Sequence, residues 1–266
     1  MHGSQILYED NHLLVINKPA DWIVQGASTD QRSLLESARN YLKQKYHKPG
    51  NVFLGVVSRL DGPVTGAVPF ARTSKCAARL SEQFRINTVT KEYWAVVEGS
   101  PLKLSDTLEH YLVRRPEETR TRVSTAKQTG AQLARLVYRV LASQGGQSLL
   151  SLNLITGRKH QIRCQLAAIG NPILGDRAYG ASEGFPQGIA LHCRRLGFEH
   201  PTTREAIQVE ASLPIYWPNW VLNRVANSSR VTTVGERVQD ESDGKENCEE
   251  ASSKERYLTN ETKDWE

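Results

Sequence analysis

The sequence predicts an α+β protein. Strand-like runs outnumber helical ones along the chain. Most neighbouring runs are joined by short turns, which makes them antiparallel. The regular strand–helix alternation of a doubly wound sheet is missing. The chain has 266 residues, 39% of them hydrophobic, which is ample for a core.

The elements follow in order. "ILYEDNHLLVINKP" (6–19) reads as two short strands around the Glu-Asp-Asn turn at 9–11. Asp30 is placed to cap a helix over 31–46, where Leu34, Leu35, Ala38, Tyr41 and Leu42 recur at helical spacing. "VFLGVVSRL" (52–60) has the look of a buried strand. "AVPFAR" (67–72) is a further strand, and Pro69 within it argues for an edge or a bulge. Thr73 or Ser74 then caps an amphipathic helix to about Arg85. "VTKEYWAVVEG" (89–99) alternates, with Tyr93, Ala95 and Val97 on one face and Trp94 and Val96 on the other. Residues 133–142 and 147–155 flank "SQGGQ", a hairpin signal. A helix is expected from about Lys159 to Ala168, with Gly170 as the residue just past its end. "IALHCRRLGFEHP" and "EAIQVEASLP" form a last strand pair. The segment 1–222 is expected to be one folded domain. Residues 223–266 are polar and charged and are expected to form a tail, disordered from about 227, because they lack the apolar content to offset ordering entropy.

Charge is unevenly spread. Residues 227–266 hold six Lys/Arg and eleven Asp/Glu, so the basic excess lies in the preceding part of the chain. A basic body with an acidic tail suits a polyanionic partner, although a solvated basic surface would read the same way. No apolar run is long enough for a transmembrane helix. The first twelve residues show neither a signal-peptide core nor an arginine-rich presequence, so a reducing compartment is expected, the cytoplasm or nucleus, with mitochondria left open. Cys76, Cys164, Cys193 and Cys248 are far apart without a C-x-x-C pair, which favours free thiols over disulfides and gives no zinc pattern. The G-x-G-x-x-G, P-loop and H-E-x-x-H motifs are absent.

Three segments concentrate glycine, cations and hydrogen-bonding groups. In "SRLDGPVTG" (58–66), Asp61 follows a strand and precedes a turn, where a side chain can point into a cleft, and Arg59, two residues away in an extended chain, points to the same side. A carboxylate beside a guanidinium stays ionised and can act as nucleophile or base. Asp-Gly and Gly-Pro are also common turn pairs, and on this segment alone the reading that Asp61 simply starts a turn is the favoured one. In "TKEYWAVVEG" (90–99), Tyr93 is a core aromatic or a surface on which a base stacks. In "LITGRKHQIRCQLAAIGNPILGDRAYG" (154–180), a helix N-terminus near Arg158 and Lys159 is suited to phosphate, or is a capped surface helix with solvated cations. His160 and Arg163 are spaced to share a helical face.

Together these segments resemble the RluA-type pseudouridine synthase family. "RLDGPVTG" is similar to its Arg-Leu-Asp motif, "KEYWAVVEG" to its tyrosine-bearing strand, and "TGRKHQIRCQLAAIGNPILGDRAYG" to its Thr-Gly-Arg…His-Gln…Arg segment and the loop after it. "ILYEDNHLLVINKPA" is similar to the family's opening, and "LHCRRLGFEHPTTRE" to a later strand pair. The resemblance spans about residues 5–214, in order.

The resemblance implies a mixed, mainly antiparallel sheet with flanking helices and a central catalytic cleft. It implies isomerisation of uridine to pseudouridine in rRNA or tRNA, without cofactor or metal. Asp61 would be the catalytic aspartate, Tyr93 would pack on the base, and Arg163 would pair with Asp61. Arg59, Leu60, Arg158, His160 and Gln161 form the expected substrate-binding set. A monomer without membrane attachment is expected. No separate RNA-binding domain precedes the motifs, so substrate selection would rest with the catalytic part or a partner. Ser58, Val64-Thr65, Cys164 and Gln165 depart from the commoner residues of the family. These departures motivate the alternative, an inactive RNA-binding or ribosome-assembly protein that retains the fold.

Overall fold

A computed structural model describes residues 5–26, 32–115 and 117–231. One sheet of eleven strands organises the chain. The strands are β1 (Ile6–Glu9), β2 (Leu13–Lys18), β3 (Gly55–Val56), β4 (Thr65–Ala71), β5 (Thr90–Glu98), β6 (Ser105–Val113), β7 (Arg122–Ser124), β8 (Gln132–Gln144), β9 (Gln147–Leu154), β10 (Leu191–Glu199) and β11 (Ala206–Glu210). The order across the sheet is β1-β2-β4-β10-β5-β9-β8-β6-β7, with β3 on β4 and β11 on β10. Every pairing is antiparallel except β4–β10. The helices are α1 (Leu34–Lys45), α2 (Ser74–Arg85), α3 (Gln161–Ala168) and α4 (Asn219–Val231). The expected α+β class and mixed, mainly antiparallel sheet are what the chain forms.

The apolar run Leu13–Ile16 explains why one end of the sheet is covered on both faces. Leu13 and Val15 join the main core with Cys76 and Leu80 of α2. Leu14 and Ile16 face the other way, into a second cluster with Leu34, Leu35, Ala38 and Leu42 of α1. This is the period of two expected of a strand buried on both sides.

The seam between β4 and β10 is tight. Gly66 opposes Cys193 there, and a Cβ on Gly66 would meet the backbone oxygen of Cys193 at 2.4 Å. Only glycine tolerates that approach at its φ of 114°.

Several expectations need correction. Residues 52–60 do not form a strand; only Gly55–Val56 pairs, and the chain then leaves the ladder toward the cleft. The strand carrying Pro69 is not an edge or a bulge. It lies inside the sheet, buried throughout, and β10 pairs at Thr65 and Gly66 while β3 pairs at Phe70 and Ala71. Residue 69 stands opposite Val15 of β2 and, on the other side of the strand, falls in the gap between β10 and β3, which spares a ladder partner there. The cap of α1 is Ser33, whose hydroxyl accepts from the Glu36 N–H, whereas Asp30 lies outside the described residues. Helix α3 starts at Gln161, not Lys159, because His160 takes a left-handed conformation with φ of 54°. Strands β6 and β7 and helix α4 had no counterpart in the sequence reading. Helix α4 runs into the first residues of the expected tail, and residues 232–266 lie outside the described residues. No described helix is long and apolar enough to cross a membrane.

Candidate active site

The cleft, of about 990 Å³, is lined by residues from several separate parts of the chain. Asp61 comes from the turn before β4, Lys91 and Tyr93 from β5, His160 and Arg163 from the start of α3, and Phe84 and Arg85 from the end of α2.

The Asp61 turn is held from below. Leu60 packs on both core clusters. The amide of Val64 donates to the Asp61 carbonyl at 3.1 Å, closing the turn. The Gly62 carbonyl accepts from Asp21 N at 2.9 Å and from Lys18 Nζ at 2.8 Å. Lys18 is fully buried and also donates to the carbonyls of Pro19 and Trp22. Burial pushes its pKa down to about 7, against the pull of Asp21 and Asp61. On the far side the Pro63 carbonyl accepts from Ile189 N at 3.1 Å. Gly188 lies so close that a Cβ would meet this oxygen at 2.2 Å.

Helix α3 supplies the cations. Arg163 reaches Asp61 Oδ2 through Nη1 at 3.3 Å. Its Nε and Nη2 donate to Asp176 at 2.7 and 2.8 Å. The guanidinium also lies over the Tyr179 ring, 4.9 Å from its centroid. Burial opposes the charge on Arg163, but the carboxylates of Asp176 and Asp61 outweigh it and raise its pKa. His160 Nε2 lies 3.6 Å from the same Asp61 oxygen. Its pKa is lowered by burial, with Arg163 and Lys159 acting in the same direction against Asp61 and Asp176. The left-handed backbone of His160 costs on the order of 1–3 kcal/mol, a strain typical of functional positions.

Tyr93 forms a buried wall of the cleft, 8% exposed. Burial raises its phenol pKa well above the usual value, as do Cys193, to which it is hydrogen-bonded, and Asp61. Burial likewise pushes the Cys193 thiol up to about 12. Neither group is charged near neutrality, so the wall is apolar in effect.

The sequence-derived set comes together, with two changes of role. Arg59 is exposed on the rim and forms no ion pair with Asp61 among the described residues; the guanidinium at Asp61 is that of Arg163. Gln161 lines the cleft but is buried, with its amide engaged by the protein. Its Oε1 accepts from Thr156 Oγ1 and Arg158 N, and its Nε2 donates to the Arg135 carbonyl. Arg158 is exposed, with Nε donating to the Leu133 carbonyl, and Ser58 and Lys159 also line the cleft. Gln165 is wholly buried and donates to the Leu108 and Ala134 carbonyls, away from the cleft lining.

Sequence reasoning assigned no role to Asp176, Tyr179, Thr121, Lys18 or Lys91. One signal was available: Asp176 is the only acid between Glu118 and Glu183, as Asp61 is between Glu36 and Glu82. A solitary carboxylate in a basic stretch is placed to meet a cation. Among the described residues no three His, Cys, Asp or Glu side chains converge on a possible metal position.

Comparison with known proteins agrees with this geometry. A family described as RNA pseudouridylate synthase matches residues 12–168. An uncharacterized RNA pseudouridine synthase, YhcT of Bacillus subtilis, is 36% identical over 213 residues, covering 79% of this chain and 68% of that protein. The ribosomal large subunit pseudouridine synthase D of Zymomonas mobilis is 31% identical, covering 79% of this chain and 69% of that one. The solved structure of human RNA Pseudouridylate Synthase Domain Containing 4 superposes with a TM-score of 0.69 at 26% identity, over 83% of this chain and 92% of that one. The chain thus spans about two thirds of the length of these bacterial relatives. It belongs to the RNA pseudouridylate synthase family, in its RluA-type branch, and is an RNA pseudouridine synthase.

Proposed function

We propose that the chain isomerises uridines in structured ribosomal or transfer RNA, with Asp61 as the catalytic carboxylate. The observation that carries this reading is the Asp61–Arg163 contact of 3.3 Å within a cleft walled by Tyr93. Relatives named as large-subunit ribosomal enzymes favour ribosomal RNA.

The reaction breaks the N1–C1′ bond, turns the uracil, and joins C5 to C1′; the proton on C5 is given up and N1 gains one. Asp61 acts either by attacking C1′ or by taking a proton from C2′ to give a glycal. Arg163 keeps the carboxylate charged and aimed in a site where such pairing is stronger than in water. Tyr93 offers the detached uracil a flat wall on which to rotate. The target nucleotide must first leave its stack, at roughly a few kcal/mol. Arg59, Arg85, Lys91, Arg158 and Lys159 line the cleft and suit the flanking phosphates. Leu60 fixes the Asp61 turn, and His160 stands beside the carboxylate. Asp61, Tyr93 and Arg163 come from one chain, which supports action as a monomer.

Tritium release from RNA labelled at uracil C5 tests the reading. Release by the wild type, together with pseudouridine at discrete positions of ribosomal or transfer RNA, is expected. Tight binding with no release from any cellular RNA pool would favour the inactive RNA-binding alternative.

A further inference from the structure

The oxygen atoms of Asp61 are not equivalent. Arg163 Nη1 at 3.3 Å and His160 Nε2 at 3.6 Å both address Oδ2. No described residue donates to Oδ1. Whether His160 helps hold Oδ2 depends on which ring nitrogen carries its proton.

Tyr179 decides this. Its hydroxyl oxygen lies 2.9 Å from His160 Nδ1 and accepts from the Thr121 N–H at 2.9 Å. The hydroxyl hydrogen has two acceptors in reach, Nδ1 and the Thr121 carbonyl at 3.2 Å. If it goes to the carbonyl, Nδ1 must be the donor, and the bare Nε2 lone pair then faces a carboxylate oxygen. If it goes to Nδ1, the proton sits on Nε2 and an N–H faces that oxygen. The second arrangement sets donor against acceptor and uses the shorter contact. Thr121 is itself buried and pinned, with Oγ1 donating to the Lys159 carbonyl at 2.9 Å, so the frame around His160 is fixed.

We infer that Tyr179 holds His160 as the Nε2–H tautomer, making His160 a positioning donor that, with Arg163, anchors Oδ2 and leaves Oδ1 as the atom that meets the ribose. This rests on Asp61 being the catalytic carboxylate. The groups facing His160 are Asp61, Arg163, Lys159, Asp176 and Tyr179, and with burial their balance keeps the ring neutral. A spacing of 3.6 Å is long for a hydrogen bond, but such contacts commonly shorten when substrate closes the site.

Nitrogen NMR of the full chain labelled in histidine reads the tautomer directly. The His160 signal is assigned by its loss in His160→Gln. A protonated Nε2 and an unprotonated Nδ1 are expected at neutral pH; a protonated Nδ1 overturns the inference. This measurement needs no turnover, so it is separate from the assignment of Asp61.

Kinetics supply the second arm. Tyr179→Phe keeps the ring beneath Arg163 and removes only the hydroxyl. Its kcat is expected to fall about tenfold, with KM for RNA little changed, as when a partner behind a catalytic group is lost. In a His160→Gln background, where an amide donor has no tautomers, the same change is expected to cost less than about twofold. An equal loss in both backgrounds would make Tyr179 a purely structural residue and overturn the inference.

Discussion

Arg163 is bound to Asp176 more closely than to Asp61. Two of its nitrogens grip the Asp176 carboxylate at 2.7 and 2.8 Å, and the third reaches Asp61 at 3.3 Å. Asp176 is 1% exposed, so this pair is buried, whereas the Asp61 side chain is 29% exposed and opens on the cleft. The inner carboxylate fixes the guanidinium, and the guanidinium then presents one N–H to the outer carboxylate. One cation thus joins a buried acid that anchors it to a second acid that opens on the cleft, the carboxylate proposed to be catalytic.

Removing the outer acid should stop the reaction. Asp61→Asn is expected to lower turnover by more than about a thousandfold. RNA affinity should stay within a few fold, because the rim cations are untouched. Tritium release and filter binding on one preparation check this, and retained turnover would remove Asp61 from the chemistry.

Removing the inner acid should cost both stability and rate. Asp176→Ala leaves a buried guanidinium without its main partner, a loss of about 3–5 kcal/mol. Urea unfolding measures it. Replacing both partners, as Asp176→Leu with Arg163→Met, is expected to recover much of that stability and none of the turnover. A double variant as unstable as the single one would contradict the account.

Acid should destabilise the fold through His192. This ring is wholly buried, accepts from Thr65 Oγ1 at Nδ1 over 2.7 Å, and donates from Nε2 to the Ala211 carbonyl at 3.1 Å. Burial lowers its pKa to about 3 from 6.5. The folded state therefore keeps it neutral while the unfolded chain protonates near 6.5. Its contribution is fully present above that pH and is lost as pH falls toward 3. By about pH 4.5 the loss is roughly 3 kcal/mol. Urea unfolding at pH 7 and pH 4.5 should show this slope in the wild type and a smaller one in His192→Leu.

The rim cations should set the salt dependence of RNA binding. Arg59→Ala and Arg158→Ala are each expected to weaken affinity similarly for different RNA sequences. Each should reduce the slope of log K against log salt by about one. Unchanged slopes would place the phosphates elsewhere on the surface.

Much of this architecture was legible because local rules and tertiary contacts agree. The Gly145–Gly146 turn, the apolar stripe of α2 capped by Thr73, and the alternation around Tyr93 all stand as sequence pattern placed them. The failures share a cause. Residues 52–60 begin apolar enough for a strand, but after Val56 the chain is drawn out of the ladder to deliver Asp61. Ordinary helix rules extend α3 back to Lys159, but His160 adopts a left-handed turn at Asp61. Local preference loses where the cleft needs a side chain in a particular place. Within the site, Asp61, Tyr93 and Arg163 could be found from their motifs. The partners Asp176, Tyr179 and Thr121 could not, since pairs such as Thr121–Tyr179 exist only once distant segments are packed.

The position of β10 has a consequence for how the protein is made. Residues 191–199 lie between β4 and β5 in the sheet, so one of its central strands is among the last to be synthesised. Asp61, Tyr93 and Arg163 are all translated earlier, yet the two halves of the molecule that carry them have no strand to join them until the chain has grown past Glu199. A nascent polypeptide therefore cannot join these three side chains through β10 before residue 199 has been made, and the cleft closes late and in one step.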